Sequence, residues 1–456
     1  MRSYDSVNPA TGETLAGYAL HDPDTVDAVA HAADAAFRVW RREPFAVRGA
    51  TLQRLADLLR REKNECARTM ASEMGKPLAD GLAEIEKCAL LCEYYAEHGE
   101  EFLREQRIQS DATRSFVAFE PLGVVLAIMP WNFPFWQAFR AMIPALTAGN
   151  AMLLKHAPNV PGCALAIERI VQAAGFPPGL YANLFLDNDS AGDLIDHPVV
   201  RAVTLTGSTR AGRSVASRAG RALKPTVLEL GGSDPYLIFA DADIETAARI
   251  CAQSRLINGG QSCIAAKRFI AVTSVYEQFL ETMTRYMRAA VMGDPFDART
   301  TLGPMARRDL RDALHRQVQT SVRQGASLQL GGVVPPGPGA FYPATVLAGV
   351  TPEMEAGHAE LFGPVAAIMR ADDEQDALRL ANASPYGLGA AIFTTDIDRA
   401  EQLATTELAA GCCFINAFVK SDPRLPFGGI KDSGYGRELS GFGIREFVNI
   451  KTIYRA

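Results

Sequence analysis

What this chain of 456 residues lacks closes off several classes of function before any motif is considered. Its eight cysteines include no Cys-x-x-Cys pair, and they are too sparse for a disulfide scaffold, a zinc ribbon or a thioredoxin-like redox motif. No metal site is expected, and Cys88, Cys92, Cys412 and Cys413 are expected to be buried and reduced. Blocks of basic residues are missing as well. Lys and Arg number 46 against 52 acidic residues, a formal charge of −6, and the cations are scattered. Neither nucleic acid nor an anionic membrane surface is therefore an expected partner. No apolar run approaches the roughly 18 residues needed to span a bilayer. The N-terminus opens on polar Arg2-Ser-Tyr-Asp rather than a signal or transit peptide, so a cytoplasmic location is expected. Internal repeats and low-complexity tracts are absent.

What is present describes an ordinary globular chain, 48% apolar and 21% charged, with length for two or three domains. A turn-rich entry at 6–13 precedes helical spacing over 24–40, 46–74 and 81–104. Residues 114–120 alternate like a strand. The apolar run 124–129 reads as a buried strand that stops at Pro130-Trp-Asn-Phe-Pro134, a loop placed to project Asn132. Strand and helix then alternate over 151–230, which argues for a parallel sheet covered on both faces. A second α/β series runs over 236–415, with 331–339 as a loop inside it. A final helix is expected from 434–437 to 446, followed by an alternating tail at 447–454.

The chemical centre is Arg255-Leu-Ile-Asn-Gly-Gly-Gln-Ser-Cys-Ile-Ala-Ala-Lys-Arg268. Asn258, Gly259 and Gly260 break the helical pattern of 243–256, and a strand resumes at 268–272, so Cys263 falls in a small polar turn. A free cysteine is more often a buried small hydrophobe. The alternative is a nucleophile on a loop held by rigid elements.

Gly-Gln-Ser-Cys263 with Leu228-Glu-Leu-Gly-Gly232 resembles the active site of the NAD(P)-dependent aldehyde dehydrogenase superfamily. Pro130–Pro134, Thr206-Gly-Ser-Thr-Arg-Ala-Gly212, Glu360-Leu-Phe-Gly-Pro364 and Pro426-Phe-Gly-Gly-Ile-Lys-Asp-Ser-Gly434 follow that family's order, so the resemblance covers nearly the whole chain. It implies an α/β fold with a Rossmann-like cofactor-binding domain at 1–104 and 122–230 and an α/β catalytic domain at 231–436. Segments 105–121 and 437–456 would form a small β oligomerisation ribbon, and at least a dimer is expected. The resemblance makes Cys263 the nucleophile, Asn132 the oxyanion donor and Glu229, 34 residues before Cys263, the base. Burial of Glu229 would raise its pKa toward neutrality.

For the cofactor, Gly207, Ser208 and Gly212 lie in a strand-to-helix turn whose glycines allow backbone to approach a diphosphate. That turn lacks Gly-x-Gly-x-x-Gly spacing and is a weak signal by itself. Similarity assigns Lys155 to the adenosine ribose, Glu360 to the nicotinamide ribose, and Phe362 with Trp131 to the pocket around them. Many NAD-preferring relatives carry a glutamate where this chain has Pro158. NADP is thus expected, with NAD also possible.

Within the superfamily the likeness is strongest to the short bacterial succinate-semialdehyde dehydrogenases, which share Lys-Ser-Asp-Pro-Arg-Leu-Pro-Phe-Gly-Gly, here 420–429. Arg140, Ser421 and Phe427 match substrate-contacting positions of that group, and a cation with a hydroxyl suits a carboxylate. A buried guanidinium without a partner would also penalise an alkyl substrate. Ile257 stands where some relatives place a second arginine, which allows looser selectivity for other small aldehydes. Ala265 stands where relatives with a disulfide switch carry another cysteine. Two other classes compete. A cysteine hydrolase or acyltransferase would need His156 or His197 as base, and a non-catalytic structural relative would have lost Cys263, Glu229 or Asn132.

Overall fold

The structure, a computed structural model, describes residues 3–456; Met1 and Arg2, where the N-terminal reading begins, lie outside them. Two sheets organise it, each with its own apolar core. In the first, Tyr181–Asn183, Ala151–Lys155, Val124–Ile128, Val200–Thr206 and Thr226–Glu229 lie side by side in parallel, and Gly434–Tyr435 adds an antiparallel edge. Val124, Val125, Leu126 and Ala127 are buried, as a strand covered on both faces requires. In the second, Thr345–Ala348, Val365–Ala371, Arg268–Val272, Pro235–Ile238, Gly389–Phe393 and Cys412–Ile415 are parallel, with Ser327–Leu330 antiparallel at one edge.

The sheets meet where the chemistry is expected. Asn132 follows the C-terminal end of Val124–Ile128, and Gln261 precedes the N-terminal end of Arg268–Val272; Asn132 Nδ2 donates to Gln261 O at 3.0 Å. Ligands of open α/β sheets collect outside the carboxyl ends of the strands, and for the first sheet this junction lies at that end.

The helix Pro134–Ala148, absent from the reading above, packs behind that junction, and every one of its residues is buried. Total burial erases the one-sided apolar stripe by which a helix is recognised. Its first turn is held from outside, because the Glu84 carboxylate accepts from the N–H groups of Phe135 and Trp136 at 2.9 Å each. Those are orphan donors of a helix N-terminus that lacks a side-chain cap of its own. Glu84 is in turn paired with buried Lys76, which lies over the Phe133 ring. The loop carrying Asn132 is thereby fixed on its C-terminal side.

Several other expectations are corrected. The N-terminal entry is a hairpin, Ser3–Val7 with Thr14–Ala19. Arg308–Arg323 is a helix, and Ser327–Leu330 and Thr345–Ala348 are strands, elements left unassigned above on either side of the loop at 331–339. The helix expected at 434–446 does not form. Gly434 and Gly436, with Leu439 and Ser440 at φ 66° and 53°, hold left-handed backbone that no α-helix admits, and only the turn Ser440–Gly443 is helical. The tail forms the strand Val448–Arg455, antiparallel to Arg114–Pro121, which also pairs with Gln106–Arg107. All eight cysteines are free, but Cys412 and Cys413 are half-buried rather than buried. No helix among the described residues is long and apolar enough to cross a membrane.

Candidate active site

Cys263 sits in a turn built to present it. Asn258, Gly259 and Gly260 take φ of 53°, 62° and 75°, reversing the chain after the helix Ile244–Leu256. Glycine is required at 260, since a Cβ there would fall 2.2 Å from Gly363 O. Several of the turn's carbonyls are engaged by buried donors. Asn258 Nδ2 donates to Asn132 O at 2.6 Å and to Gln261 O at 3.1 Å, and Arg255 Nη2 donates to Gly260 O at 2.5 Å. Lys267 Nζ donates to Ser262 O at 2.9 Å and Cys263 O at 2.5 Å. With one Nδ2 hydrogen of Asn132 committed to Gln261, its second remains for a ligand.

The electrostatics around the thiol oppose one another. Burial pushes the Cys263 pKa up to about 12, with Arg140 and Lys267 pulling it down and Glu360 and Glu229 raising it further. Glu229 ends the strand Thr226–Glu229, is 1% exposed, and has neither carboxylate oxygen hydrogen-bonded. Desolvation first and the charge of Glu438 second hold its pKa well above the usual carboxylate range, against the pull of Arg140 and Arg437. Its carboxylate lies against Gly428, behind the cavity into which Cys263 opens rather than on its wall.

That cavity, ≈410 Å³, brings together four residues named from sequence: Cys263, Arg140, Ser421 and Phe427. Phe133, Trp136, Ile257, Ile264 and Phe418 make most of its wall apolar. Arg140, 2% exposed, stacks over Phe427 at 4.7 Å. It is not the unpartnered guanidinium expected from sequence, because Glu438, buried beside it, forms an ion pair with its Nε. Ser421 accepts from Lys87 Nζ at 2.7 Å. Lys87 and Glu438 escaped the sequence reading; each lies beside other charged residues, Glu86 and Arg437, in a run that offers no motif.

Of the expected cofactor residues, Trp131, Lys155, Gly207 and Ser208 follow or end strands of the first sheet, and Glu360 and Phe362 precede Val365–Ala371 of the second. Lys155 ends its strand and is 8% exposed, its pKa lowered by burial with Asp187 pulling the other way. Pro158 is exposed three residues on. Ser208 caps the helix Thr209–Arg221 by accepting from Ala211 N, and no acidic residue occupies the first turn. That exposed helix start suits a diphosphate. At Gly212 a Cβ would meet the Leu230 side chain at 2.5 Å, so its missing side chain also lets the helix pack on the strand end. Trp131 and Phe362 meet edge to face, centroids 5.7 Å apart. Glu360 Oε1 accepts from Gly232 N at 3.0 Å and lies 3.7 Å from Lys267 Nζ. Anion-binding backbone, a partly desolvated lysine and an aromatic pair together fit a dinucleotide.

Residues 1–453 match the aldehyde dehydrogenase family. The chain belongs to that family. It is 46% identical to a probable NADP(+) succinate-semialdehyde dehydrogenase of Synechocystis sp., covering 99% of each chain. It is 48% identical to the NAD(P)+ succinate semialdehyde dehydrogenase of Escherichia coli, covering 99% of this chain and 97% of that one. Among solved structures it resembles succinic semialdehyde dehydrogenase from Streptococcus pyogenes, in complex with NADP+, with a TM-score of 0.96 at 38% identity and 99% coverage of both.

Family membership fits the local chemistry better than the hydrolase alternative does. His156 is buried, bonded through Nε2 to Pro134 O at 2.9 Å, and burial lowers its pKa to about 4. His197 faces Asp27 at 3.0 Å, and no histidine is found among the residues lining the Cys263 cavity.

Proposed function

We propose that this protein oxidises a short ω-carboxy aldehyde, succinic semialdehyde first, to the corresponding acid, using NADP and accepting NAD. One observation carries the substrate reading: the candidate nucleophile Cys263 shares a single cavity with Arg140, Ser421 and Phe427. The proposed cofactor set is Trp131, Lys155, Pro158, Gly207, Ser208, Gly212, Glu360 and Phe362. NADP is favoured because Pro158 puts no carboxylate beside Lys155 to repel a 2′-phosphate, and the relatives named above use NADP(+) or NAD(P)+.

In this mechanism the Cys263 thiol gives up its proton to water, and the sulfur adds to the aldehyde carbon as the C=O π bond breaks to leave an oxyanion. The free Nδ2 hydrogen of Asn132 and the Cys263 backbone N–H receive that charge, a contribution of about 3–4 kcal/mol for such a donor. The cofactor set above would hold NAD(P), which would supply the acceptor for the hydride leaving the tetrahedral carbon. A thioester is then left on Cys263. Glu229 accepts a proton from water as the water oxygen attacks the thioester carbon; the C–S bond breaks, the acid departs and Cys263 is released. Burial suits Glu229 to this work, because a carboxylate at its ordinary pKa is a poor base near neutrality. Arg140 contributes its remaining N–H donors to the distal carboxylate, although Glu438 offsets its charge.

We further propose the division into cofactor-binding, catalytic and oligomerisation segments at the boundaries given above, supported by the separate cores of the two sheets. A cytoplasmic setting, supported by eight free thiols, and an assembly of at least two copies complete the proposal. The test is a panel of aldehydes with both cofactors. Specificity constants should favour succinic semialdehyde over butanal and NADP over NAD. Butanal as the better substrate would overturn the carboxylate pocket, and a clear preference for NAD would overturn the cofactor reading.

A further inference from the structure

The cavity contains a half-buried cation for which the mechanism above has no use. Lys87 projects from the helix Leu78–Phe102, donates to Ser421 Oγ at 2.7 Å and lies 3.9 Å from the centre of the Trp136 ring. The nearby carboxylates are committed to other partners. Glu84 pairs with Lys76 and caps the helix Pro134–Ala148, and Asp422 holds Arg424 through both oxygens. Asp80 also lines the cavity, but no ion pair joins it to Lys87 among the described residues.

The other two cations of the cavity are differently placed. Arg140 is matched by Glu438, and its contact with Thr206 Oγ1 is long at 3.4 Å. Lys420 is exposed, where water and salt screen it. Lys87 alone combines desolvation with an unmatched charge.

We infer that Lys87, acting with Ser421, is the specificity-determining contact for the substrate's distal carboxylate. The inference rests on the substrate reading above and assigns the charge within it. An ammonium has three donors, and Ser421 takes only one. Burial without a carboxylate is unfavourable for the charged form, and pushes the Lys87 pKa down to about 8, with Arg140 adding to the effect and Cys88, Glu84 and Asp422 opposing it. An arriving carboxylate relieves that penalty through a charge-assisted bond, whereas an alkyl chain leaves it in place. Ser421 supplies a second, directional contact. Arg140 keeps the donor role given above, but Glu438 offsets its charge, so the discrimination between carboxylate and alkyl falls to Lys87.

The experiment compares the wild type with Lys87→Met, Lys87→Arg and Ser421→Ala, using NADP with succinic semialdehyde and with butanal. Lys87→Met should raise KM for succinic semialdehyde about 10- to 100-fold, the range of a hydrogen bond to a charged group, with kcat changed only a few-fold. The preference for succinic semialdehyde over butanal should fall by a similar factor, and Lys87→Arg should recover much of it. In the wild type, KM for succinic semialdehyde should rise as pH passes about 8 and Lys87 loses its proton; Lys87→Met should abolish that rise. A Lys87→Met enzyme that keeps the wild-type preference, or loses both substrates alike, overturns the assignment while leaving the substrate reading intact. A wild type with no preference for succinic semialdehyde defeats the substrate reading, and this assignment with it.

Discussion

Glu229 has two carboxylate oxygens without a hydrogen-bond partner, a condition that costs free energy and calls for a reason. A base that must stay available for a water molecule is such a reason. The proposed division of labour separates the two halves of the reaction. Cys263→Ser should abolish oxidation, because an alcohol is a far weaker nucleophile than a thiolate. Glu229→Gln should still form thioester and release one equivalent of reduced cofactor per site in a burst, followed by turnover lowered at least about 100-fold. The sign with pH follows from the raised pKa: Glu229 is protonated and idle at low pH, so deacylation should quicken as pH rises through it. Stopped-flow absorbance of the reduced nicotinamide checks both; steady turnover by Glu229→Gln at the wild-type rate removes Glu229 from the role. The roles proposed for Cys263, Glu229 and Asn132 came from the resemblance, carried by the motifs around them. Lys87 and Glu438 were not legible, since a charged residue acquires its meaning from what faces it across the fold, here Ser421 and Arg140.

Elements were legible wherever burial left a periodic trace. The strands Val124–Ile128 and Ala151–Lys155 declare themselves as short apolar runs between turns, and the helices Pro23–Trp40 and Phe45–Met74 by a one-sided apolar pattern. Pro134–Ala148 left no such trace because it has no solvent side, and it carries Pro144 within it. The segment 434–446 misled in the opposite direction, since its side chains permit a helix that its left-handed backbone forbids. Backbone of that kind has a function at the nucleophile's turn. Gly260 lies against Gly363 O, so the turn carrying Cys263 and the loop carrying Glu360 and Phe362 are fitted to each other without a side chain between them. Gly260→Ala adds a methyl group 2.2 Å from that oxygen at a φ of 75°. It should cost roughly 1–3 kcal/mol in strain, seen as a lower denaturant midpoint, and raise KM for the cofactor as the Glu360 loop moves. An alanine variant with unchanged midpoint and cofactor KM would show that this contact does not couple the two elements.

The whole molecule follows from strand and helix alternating along the chain, which admits little but parallel sheets with helices on their faces. Its assembly is a different matter, because sequence pattern does not reveal which edge remains open. The strand Val448–Arg455 lies at the margin of its three-stranded sheet, paired on one side with Arg114–Pro121. Its other side is an open row of backbone donors and acceptors, and Ile450 and Tyr454 are 64% and 54% exposed. Such an edge is a liability unless it is covered or charged. Lys451 does not discourage pairing here, because it is drawn back onto Glu120 at 2.9 Å within the same sheet. A second copy covering this edge accounts for both the open row and the exposed apolar side chains, consistent with the proposed assembly. Light scattering should therefore give at least twice the mass of one chain at micromolar concentration. Ile450→Lys places a charge on the uncovered apolar surface without disturbing the in-chain ladder, and should shift the protein toward single chains. A wild type that is monomeric throughout, or an Ile450→Lys variant with undiminished mass, would require the edge to be protected by some means other than a second copy.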